Sequence, residues 1–168
     1  HDAIEPLALE VYAQGRAEEV MGAAFRKLGL RRSDLVVSTK IFWGGARQGP
    51  GEPFIYGPND RGLSRKHIME AIDASLARLK TDYVDLLYIH RLDHDTPMEE
   101  IAEALNDVVR SGRVLYLGAS SMWTWQFATL REMQRANGWA RFQVMQNFYN
   151  LCYREEEREM IPYCMSQG

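Results

Sequence analysis

The feature that most limits the fold of this chain is an alternation of short apolar runs with longer helical patterns. Four runs have the length and composition of buried strands. They span residues 35–39, 83–89, 114–119 and 142–145. Because helical patterns separate them, the strands are predicted to be parallel and joined by crossover helices. The predicted class is α/β, and the predicted element order starts with a helix and then alternates strand and helix.

The predicted helices have apolar residues at intervals of three and four, with capping residues at their ends. They cover about residues 16–28, 65–80, 97–111 and 124–137, and a fifth begins near Arg154. Ser64 and Thr96 are the predicted N-caps of the second and third helices. The predicted apolar stripe of the first helix is Val20, Met21, Ala24, Phe25 and Leu28.

Each predicted strand leads into polar residues suited to chemistry. These are Lys40, His90, Ser120 with Ser121, and Gln146 with Asn147. In a parallel barrel the carboxyl ends of all strands meet on one face, which holds the active site. We therefore expect a cation, an imidazole, hydroxyls and an amide to converge. A loop rich in Gly and Pro, residues 44–62, follows Lys40 and is expected on the same face as a site loop.

Periodicity alone leaves two architectures open. A complete (β/α)₈ barrel needs about 250 residues, and this chain of 168 residues has room for four or five units. It is therefore either an open doubly wound sheet or an incomplete barrel. No Gly-x-Gly-x-x-Gly follows any predicted strand, which counts against a dinucleotide-binding sheet of the Rossmann type.

Composition indicates an ordinary globular protein, with 46% hydrophobic and 26% charged residues. The net charge of −3 gives no reason to expect nucleic acid or an anionic membrane as a partner. There is no apolar run of about 18 residues and no secretory signal at the start of the chain, so membrane insertion is not expected. The two cysteines, Cys152 and Cys164, are expected to be reduced, which favours a cytoplasmic location.

Lys40 has two interpretations. It is either a solvated lysine at the rim or a cation that lowers the pKa of a nearby acid, for which Tyr12 is the candidate. Free tyrosine has a pKa of about 10 and is a weak proton donor at neutral pH. His90 is either a structural histidine, a metal ligand together with Asp93, His94 and Asp95, or an imidazole that orients a substrate.

The remaining candidates are neutral or aromatic. Ser120, Gln146 and Asn147 either cap the turns that follow their strands or hold a carboxamide. Tryptophans just beyond strand ends either pack in the core or form walls of an apolar pocket. They are Trp43, Trp123 and Trp125.

Several segments together resemble the aldo-keto reductase superfamily over about residues 9–168. They are Glu10-Val11-Tyr12, Ser38-Thr39-Lys40-Ile41-Phe42-Trp43-Gly44-Gly45, Gly62-Leu63-Ser64-Arg65-Lys66-His67-Ile68, Ser75-Leu76-Ala77-Arg78-Leu79, Asp82-Tyr83-Val84-Asp85-Leu86-Leu87, His90-Arg91-Leu92-Asp93 and Gly118-Ala119-Ser120-Ser121. The first third is most similar to the voltage-gated potassium channel β-subunit branch. Residues 138–163 are more similar to microbial reductases.

The resemblance implies a (β/α)₈ barrel that binds NADPH without a Rossmann motif and reduces aldehydes and ketones to alcohols. It implies that Tyr12 is the general acid, that Lys40 tunes it, and that His90 orients the carbonyl. Ser120, Ser121 and Gln146 match the positions that hold the nicotinamide carboxamide, and Trp43 is expected in the substrate pocket. The residues implied at the site are Tyr12, Lys40, Trp43, His90, Ser120, Ser121 and Gln146.

The sequence also departs from the family pattern. Leu7 stands where the family has a catalytic aspartate, and residues 1–8 form an atypical N-terminal segment. Residues 1–168 are expected to form a single partial barrel, with about strands 2 to 6 of the family fold and without the loops that clamp the adenosine phosphates. Open strand edges would favour self-association into a homo-oligomer.

Three functions follow from the resemblance. The first is an NADP(H)-dependent reductase acting on a small carbonyl substrate. The second is a cofactor-sensing interaction protein similar to the channel β-subunits. The third is a catalytically dead remnant, which Leu7 and the length of the chain favour.

Overall fold

A computed structural model describes residues 8–9, 15–44, 46–47, 54–55 and 57–168, with backbone only for the three two-residue segments. The helices are α1 Arg16–Lys27, α2 Arg65–Leu79, α3 Met98–Arg110, α4 Thr124–Ala136 and α5 Met160–Gln167. The strands are β1 Ala8–Leu9, β2 Ser38–Ile41, β3 Ala46–Arg47, β4 Phe54–Ile55, β5 Val84–Ile89, β6 Val114–Ser120 and β7 Phe142–Gln146. Short 3₁₀ turns cover Arg32–Asp34 and Glu155–Glu157. Within these ranges no helix is long and apolar enough to cross a membrane.

The main sheet decides between the two architectures. Five parallel strands lie in the order β1-β2-β5-β6-β7, which is also their order along the chain. A doubly wound sheet reverses its strand order at a switch point, and the described sheet contains no such reversal. With right-handed crossovers, an unreversed order places successive helices on the same side of the sheet, as in a barrel.

The start of the sheet differs from the predicted order. The sequence predicts no strand before the first helix, but β1 pairs with β2 through Ala8 opposite Thr39 and Leu9 opposite Lys40. The loop after β2 contains the antiparallel hairpin β3–β4, which the Gly- and Pro-rich composition of residues 44–62 conceals.

Strand β2 begins later than its apolar run predicts. The Val37 amide donates to the Asp85 carboxylate at 2.7 Å, and that carboxylate also accepts from the Arg32 guanidinium at 2.7 Å. The regular ladder therefore starts beyond Val37, and Val36 is 85% exposed. The strand also ends later than predicted, at Ile41, so Lys40 lies inside β2 rather than after it.

The first four predicted helices are confirmed to within a residue or two at each end. Three other details of the predicted helices are corrected. The N-cap of α3 is Pro97, since the Thr96 hydroxyl donates to Asp93 at 2.7 Å instead of capping. The predicted start of the fifth helix near Arg154 is wrong, because a 3₁₀ turn comes first and α5 begins at Met160. The apolar stripe of α1 is partly wrong, because Val20 and Leu28 are exposed while Glu18 and Gly22 are buried.

The buried face of α1 is set by close backbone contact with α2. A Cβ at Gly22 would lie 2.6 Å from the Leu79 carbonyl oxygen, so only glycine permits this approach. The Glu18 carboxylate, 0% exposed, accepts from the Arg78 guanidinium and the Thr39 hydroxyl at 2.5 Å each. The ion pair joins α1 to α2, and the hydrogen bond from Thr39 joins α1 to β2. Because Glu18 faces the interior, part of the predicted apolar stripe of α1 faces solvent.

The core lies between the helices and one face of the sheet. Its side chains from β2, β5 and β6 are fully buried, and they pack with residues of α2 and α3. The strand members are Ile41, Leu87, Ile89, Leu117 and Ala119. The opposite face is less covered, since Leu86 is half-buried and Tyr116 is 58% exposed. The strands are therefore covered unequally, although their apolar runs suggest uniform burial.

Candidate active site

The strand register brings the predicted site residues to one face of the sheet. Lys40 lies opposite Tyr88 and Tyr88 opposite Gly118 on neighbouring strands. One position further along, Ile41, Ile89 and Ala119 belong to the core on the opposite face. Because side chains alternate between faces, the next positions return to the face of Lys40.

Those next positions are His90, Ser120 and Gln146. Ser120 pairs with Gln146, and His90 directly follows the Ile89–Ala119 pair. This places an ammonium group, an imidazole, a hydroxyl and an amide at the carboxyl edge of one sheet face. The predicted convergence is therefore present for these four candidates.

Lys40 is buried, with 3% of its surface exposed. Its Nζ lies 5.5 Å from the centroid of the Tyr88 ring, within the range of a cation–π contact. The interpretation of Lys40 as a solvated rim lysine is therefore wrong. A lysine is rarely buried this fully without a specific environment.

Tyr88 keeps its position because the residue beside it is a glycine. A Cβ at Gly118 would collide with Cδ1 and Cε1 of the Tyr88 ring. Sequence reasoning missed both residues as parts of the site, since only the register of β5 and β6 brings them together. The single available signal was a glycine inside an apolar strand, which is typical of a close approach.

His90 lies at the end of β5, where its amide donates to the Ile41 carbonyl at 3.0 Å. Its ring meets the Trp43 ring edge to face, with 6.3 Å between centroids. Two guanidinium groups lie close to the Trp43 ring, with the Cζ atoms of Arg61 and Arg91 each 4.9 Å from its centroid. Trp43 therefore borders the imidazole.

The interpretation of His90, Asp93, His94 and Asp95 as metal ligands has no support in the structure. Among the described residues, no three His, Cys, Asp or Glu side chains lie close enough together to hold a metal ion. The Asp93 carboxylate instead accepts from the Leu63 amide and the Thr96 hydroxyl at 2.7 Å each, and from the Asp95 amide at 3.0 Å. Burial opposes its ionisation, but these hydrogen bonds outweigh burial and lower the pKa of Asp93. Asp93 therefore anchors the loop that carries Arg91 and His94.

The ends of β6 and β7 are joined by a chain of hydrogen bonds. The Ser121 amide donates to Asn147 Oδ1 at 2.9 Å, and Asn147 Nδ2 donates to Glu156 Oε2 at 2.5 Å. Ser121 has a φ of 46°, a left-handed conformation that is uncommon for serine. The Ser120 and Ser121 hydroxyl oxygens are 3.3 Å apart. Asn147 thus caps the turn after β6 rather than the turn that follows its own strand.

Gln146 carries a buried acceptor. Its Oε1 atom is inaccessible to solvent and has no hydrogen-bond partner. An unsatisfied buried acceptor costs about 1–3 kcal/mol, so a donor supplied by a ligand would be stabilising. The NH₂ group of a carboxamide is such a donor, and the residues present therefore fit a nicotinamide at this edge.

The other two tryptophans are not core residues. Trp123 is 72% exposed and Trp125 is 61% exposed, so the packing interpretation is wrong for both. Tyr12 and Leu7, the proposed acid and the residue at the place of the family aspartate, lie outside the described residues.

Comparisons with a family model and with curated proteins indicate the same family. The model of the aldo/keto reductase family matches residues 9–168. Versiconal hemiacetal acetate reductase of Aspergillus parasiticus is 50% identical over 167 residues, covering 95% of this chain and 48% of that protein. A probable voltage-gated potassium channel subunit beta of Arabidopsis thaliana is 57% identical over 168 residues, covering 95% of this chain and 46% of that protein.

A third relative extends the comparison to another fungus. Aldo-keto reductase AMT2 of Alternaria alternata is 44% identical over 177 residues, covering 94% of this chain and 47% of that protein. The chain spans about half the length of the curated relatives it matches. Its five parallel strands in unreversed order agree with part of a (β/α)₈ barrel. The chain therefore belongs to the aldo/keto reductase family.

Proposed function

We propose that this chain carries the catalytic face of an NADP(H)-dependent oxidoreductase that reduces an aldehyde or a ketone to an alcohol. The proposed catalytic residues are Tyr12 as general acid, Lys40 and His90. Ser120, Ser121 and Gln146 hold the nicotinamide carboxamide, and Trp43 borders the carbonyl substrate. The names of two relatives, a versiconal hemiacetal acetate reductase and an aldo-keto reductase, support a reductase.

One observation carries the proposal. The Gln146 Oε1 atom is buried without a donor on the same sheet face and at the same edge as His90 and Ser120. A carboxamide placed there donates to Gln146 Oε1 and accepts from a serine hydroxyl. These contacts hold a flat ring at the edge without a phosphate-binding glycine motif.

In this proposal, residues of the chain donate the proton and orient the carbonyl group. A bound nicotinamide supplies the hydride that reaches the carbonyl carbon. The Tyr12 phenol donates its proton to the carbonyl oxygen, so the products are an alcohol and the oxidised cofactor. A Lys40 ammonium beside the phenol would favour the phenolate and make Tyr12 a better acid. The His90 imidazole donates a hydrogen bond that orients the carbonyl oxygen.

The first test is a titration of the 168-residue chain with NADPH, followed by nicotinamide fluorescence. Saturable binding is expected, and Gln146→Leu should weaken it about tenfold, the value of one hydrogen bond of about 1.4 kcal/mol. Gln143→Leu is the matched control, because Gln143 is an exposed residue on the same strand whose amide donates to Arg141. Equal affinities for the Gln146→Leu variant and the original chain would contradict the proposed carboxamide site.

The acid is tested separately. Tyr12→Phe should abolish NADPH-dependent reduction of 4-nitrobenzaldehyde and leave NADPH binding unchanged, because the ring stays and only the proton donor is lost. Tyr149→Phe is the control, since Tyr149 is exposed and its hydroxyl donates to Glu157. Undiminished turnover by the Tyr12→Phe variant would refute the assignment. The same assays with NADH test the preference for the phosphorylated cofactor.

A second function is favoured by the 57% identity to the Arabidopsis protein named as a probable voltage-gated potassium channel subunit beta. In this role the bound cofactor reports redox state and the chain binds the cytoplasmic domain of a channel. Capture of that domain by the chain, with NADPH binding but slow turnover, would favour it over the reductase. Binding without turnover and without capture would favour the catalytically dead form that Leu7 suggests.

Three further expectations stay predictions. Residues 1–168 form one partial barrel domain, with residues 1–8 atypical. The chain works in the cytoplasm, and it self-associates into a homo-oligomer, which sedimentation would measure.

A further inference from the structure

A cavity of about 380 Å³ lies among the loops that follow β5, β6 and β7. Residues from all three loops line it, and none of Lys40, Ser120 and Gln146 does. Its volume lies within the range of about 300–1,000 Å³ typical of small-molecule pockets. The lining residues that the argument uses are Arg91, His94, Ser121, Trp123, Phe148 and Glu156.

Three exposed aromatic side chains line this cavity. Trp123 is 72%, Phe148 50% and Tyr153 42% exposed, and the rings of Phe148 and Tyr153 lie 5.0 Å apart. Adjacent exposed aromatic rings around a concavity are typical of a ligand site rather than of scattered surface residues. They would stack on a flat, apolar ligand.

The lining of the cavity includes the cationic side chain of Arg91. Arg91 and His94 come from the same loop, which Asp93 anchors through its three hydrogen bonds. The Arg91 guanidinium lies over the rings of Trp43 and Phe42, with its Cζ 4.9 Å and 5.9 Å from their centroids. Ring contacts orient this charge without neutralising it, and no carboxylate of the described residues forms an ion pair with it.

The cavity lining also contains a carboxylate, Glu156, which already accepts a hydrogen bond. The Glu156 carboxylate accepts from Asn147 Nδ2, and Asn147 in turn holds the Ser121 amide. The cavity lining therefore contains both a guanidinium group, Arg91, from the loop after β5 and a hydrogen-bonded carboxylate, Glu156, from the loop after β7. A ligand with a negative group at one end only would match it.

We propose that this cavity binds a flat aromatic carboxylate, with its ring between the exposed aromatic side chains and its negative group at Arg91. The site lies beside the proposed carboxamide residues, since Ser121 lines it. Its test needs no cofactor and no turnover, so its failure would leave the proposed reductase function untouched.

The experiment is calorimetric titration of the 168-residue chain with three probes of the same ring: 2-naphthoate, neutral 2-naphthamide and cationic 2-naphthylmethylammonium. We expect 2-naphthoate to bind at least about tenfold more tightly than 2-naphthamide, because a hydrogen bond to a charged group contributes more than a neutral one. The ammonium probe should bind most weakly of the three. Equal binding of the three probes, or no saturable binding of 2-naphthoate, would overturn the proposal.

Two variants locate the ligand. Arg91→Gln should reduce 2-naphthoate affinity to that of 2-naphthamide and leave the latter unchanged, whereas Trp123→Ala should weaken both probes equally. Arg110→Gln is the control, because Arg110 is an exposed arginine at the end of α3, outside the cavity lining. Circular dichroism of each variant establishes that it is folded. Unchanged 2-naphthoate affinity in a folded Arg91→Gln variant would place the ligand elsewhere and refute the site.

Discussion

Replacing the buried Asp93 by asparagine tests how the loops of the candidate site are held. Asp93 is 8% exposed and accepts three hydrogen bonds, two of them from the backbone amides of Leu63 and Asp95. These bonds join the loop after β5 to the segment that precedes α2. Asparagine has the same shape but only one acceptor oxygen, so at least one of the two amides must lose its partner.

The cost follows from these contacts. A buried donor left without an acceptor costs about 1–3 kcal/mol, and hydrogen bonds to a charged acceptor contribute about 1.5–3 kcal/mol each. We expect Asp93→Asn to lower the free energy of unfolding by about 2–4 kcal/mol. Thr96→Val removes one hydroxyl donor and keeps both amide bonds, so it should cost about 1–2 kcal/mol.

The assay is urea unfolding followed by tryptophan fluorescence, with the free energy obtained by linear extrapolation. Asp95→Asn is the matched control, because the Asp95 side chain is exposed and surface changes usually lie within about 0.5 kcal/mol. If Asp93→Asn cost no more than Asp95→Asn, the three hydrogen bonds would not stabilise the loop and the reasoning would be refuted.

The same carboxylate predicts a pH dependence. Because the pKa of Asp93 is lower in the folded chain than its ordinary value, its contribution is fully present above the unfolded value, about 3.9. The contribution is then lost as the pH falls through the folded pKa. The difference in stability between the original chain and Asp93→Asn should therefore shrink in acid. A difference that stays constant down to low pH would contradict this sign.

Two further substitutions test the packing on either face of the sheet. Gly118→Ala should cost about 1–3 kcal/mol, because its methyl group collides with the Tyr88 ring, and this cost should largely disappear in a Tyr88→Leu background. Equal costs in both backgrounds, measured by the same urea assay, would mean that the ring is not the obstacle. Glu18→Gln should cost about 2–3 kcal/mol, below the roughly 3–5 kcal/mol of a fully buried pair, because Arg78 is 25% exposed. The exposed neighbour Glu19 provides the control through Glu19→Gln, and equal losses would refute a role for the buried pair.

Much of the fold could be predicted from local patterns, because burial imposes a period on each element. The spacing of Ile68, Ile72, Leu76 and Leu79 predicts α2 almost to the residue, and all four are buried. The start of β2 could not be predicted in this way. It is set by the Asp85 side chain, 48 residues from the Val37 amide that donates to it.

The residues of the candidate site likewise divide into those that local sequence patterns predict and those that they do not. Lys40, His90, Ser120 and Gln146 could be selected from sequence, because each is a polar residue at or near the end of an apolar run. Tyr88 and Gly118 could not, since neither differs from an ordinary strand residue until the register pairs them. Asp93 was considered only as a metal ligand, and its structural role depends on Leu63, 30 residues away.

The unsatisfied acceptor of Gln146 is unfavourable for folding, and it lies on the same sheet face as Lys40. An unpaired Gln146 Oε1 costs about 1–3 kcal/mol, which is a large part of the stability of a domain of this size. Such a group persists where the rest of the structure offsets it, and it is typical of a position that a ligand completes. The ion pairs Glu18–Arg78 and Arg32–Asp85 stabilise other parts of the same sheet. We therefore expect substitutions at these pairs to lower the free energy of unfolding, which the same urea assay would measure.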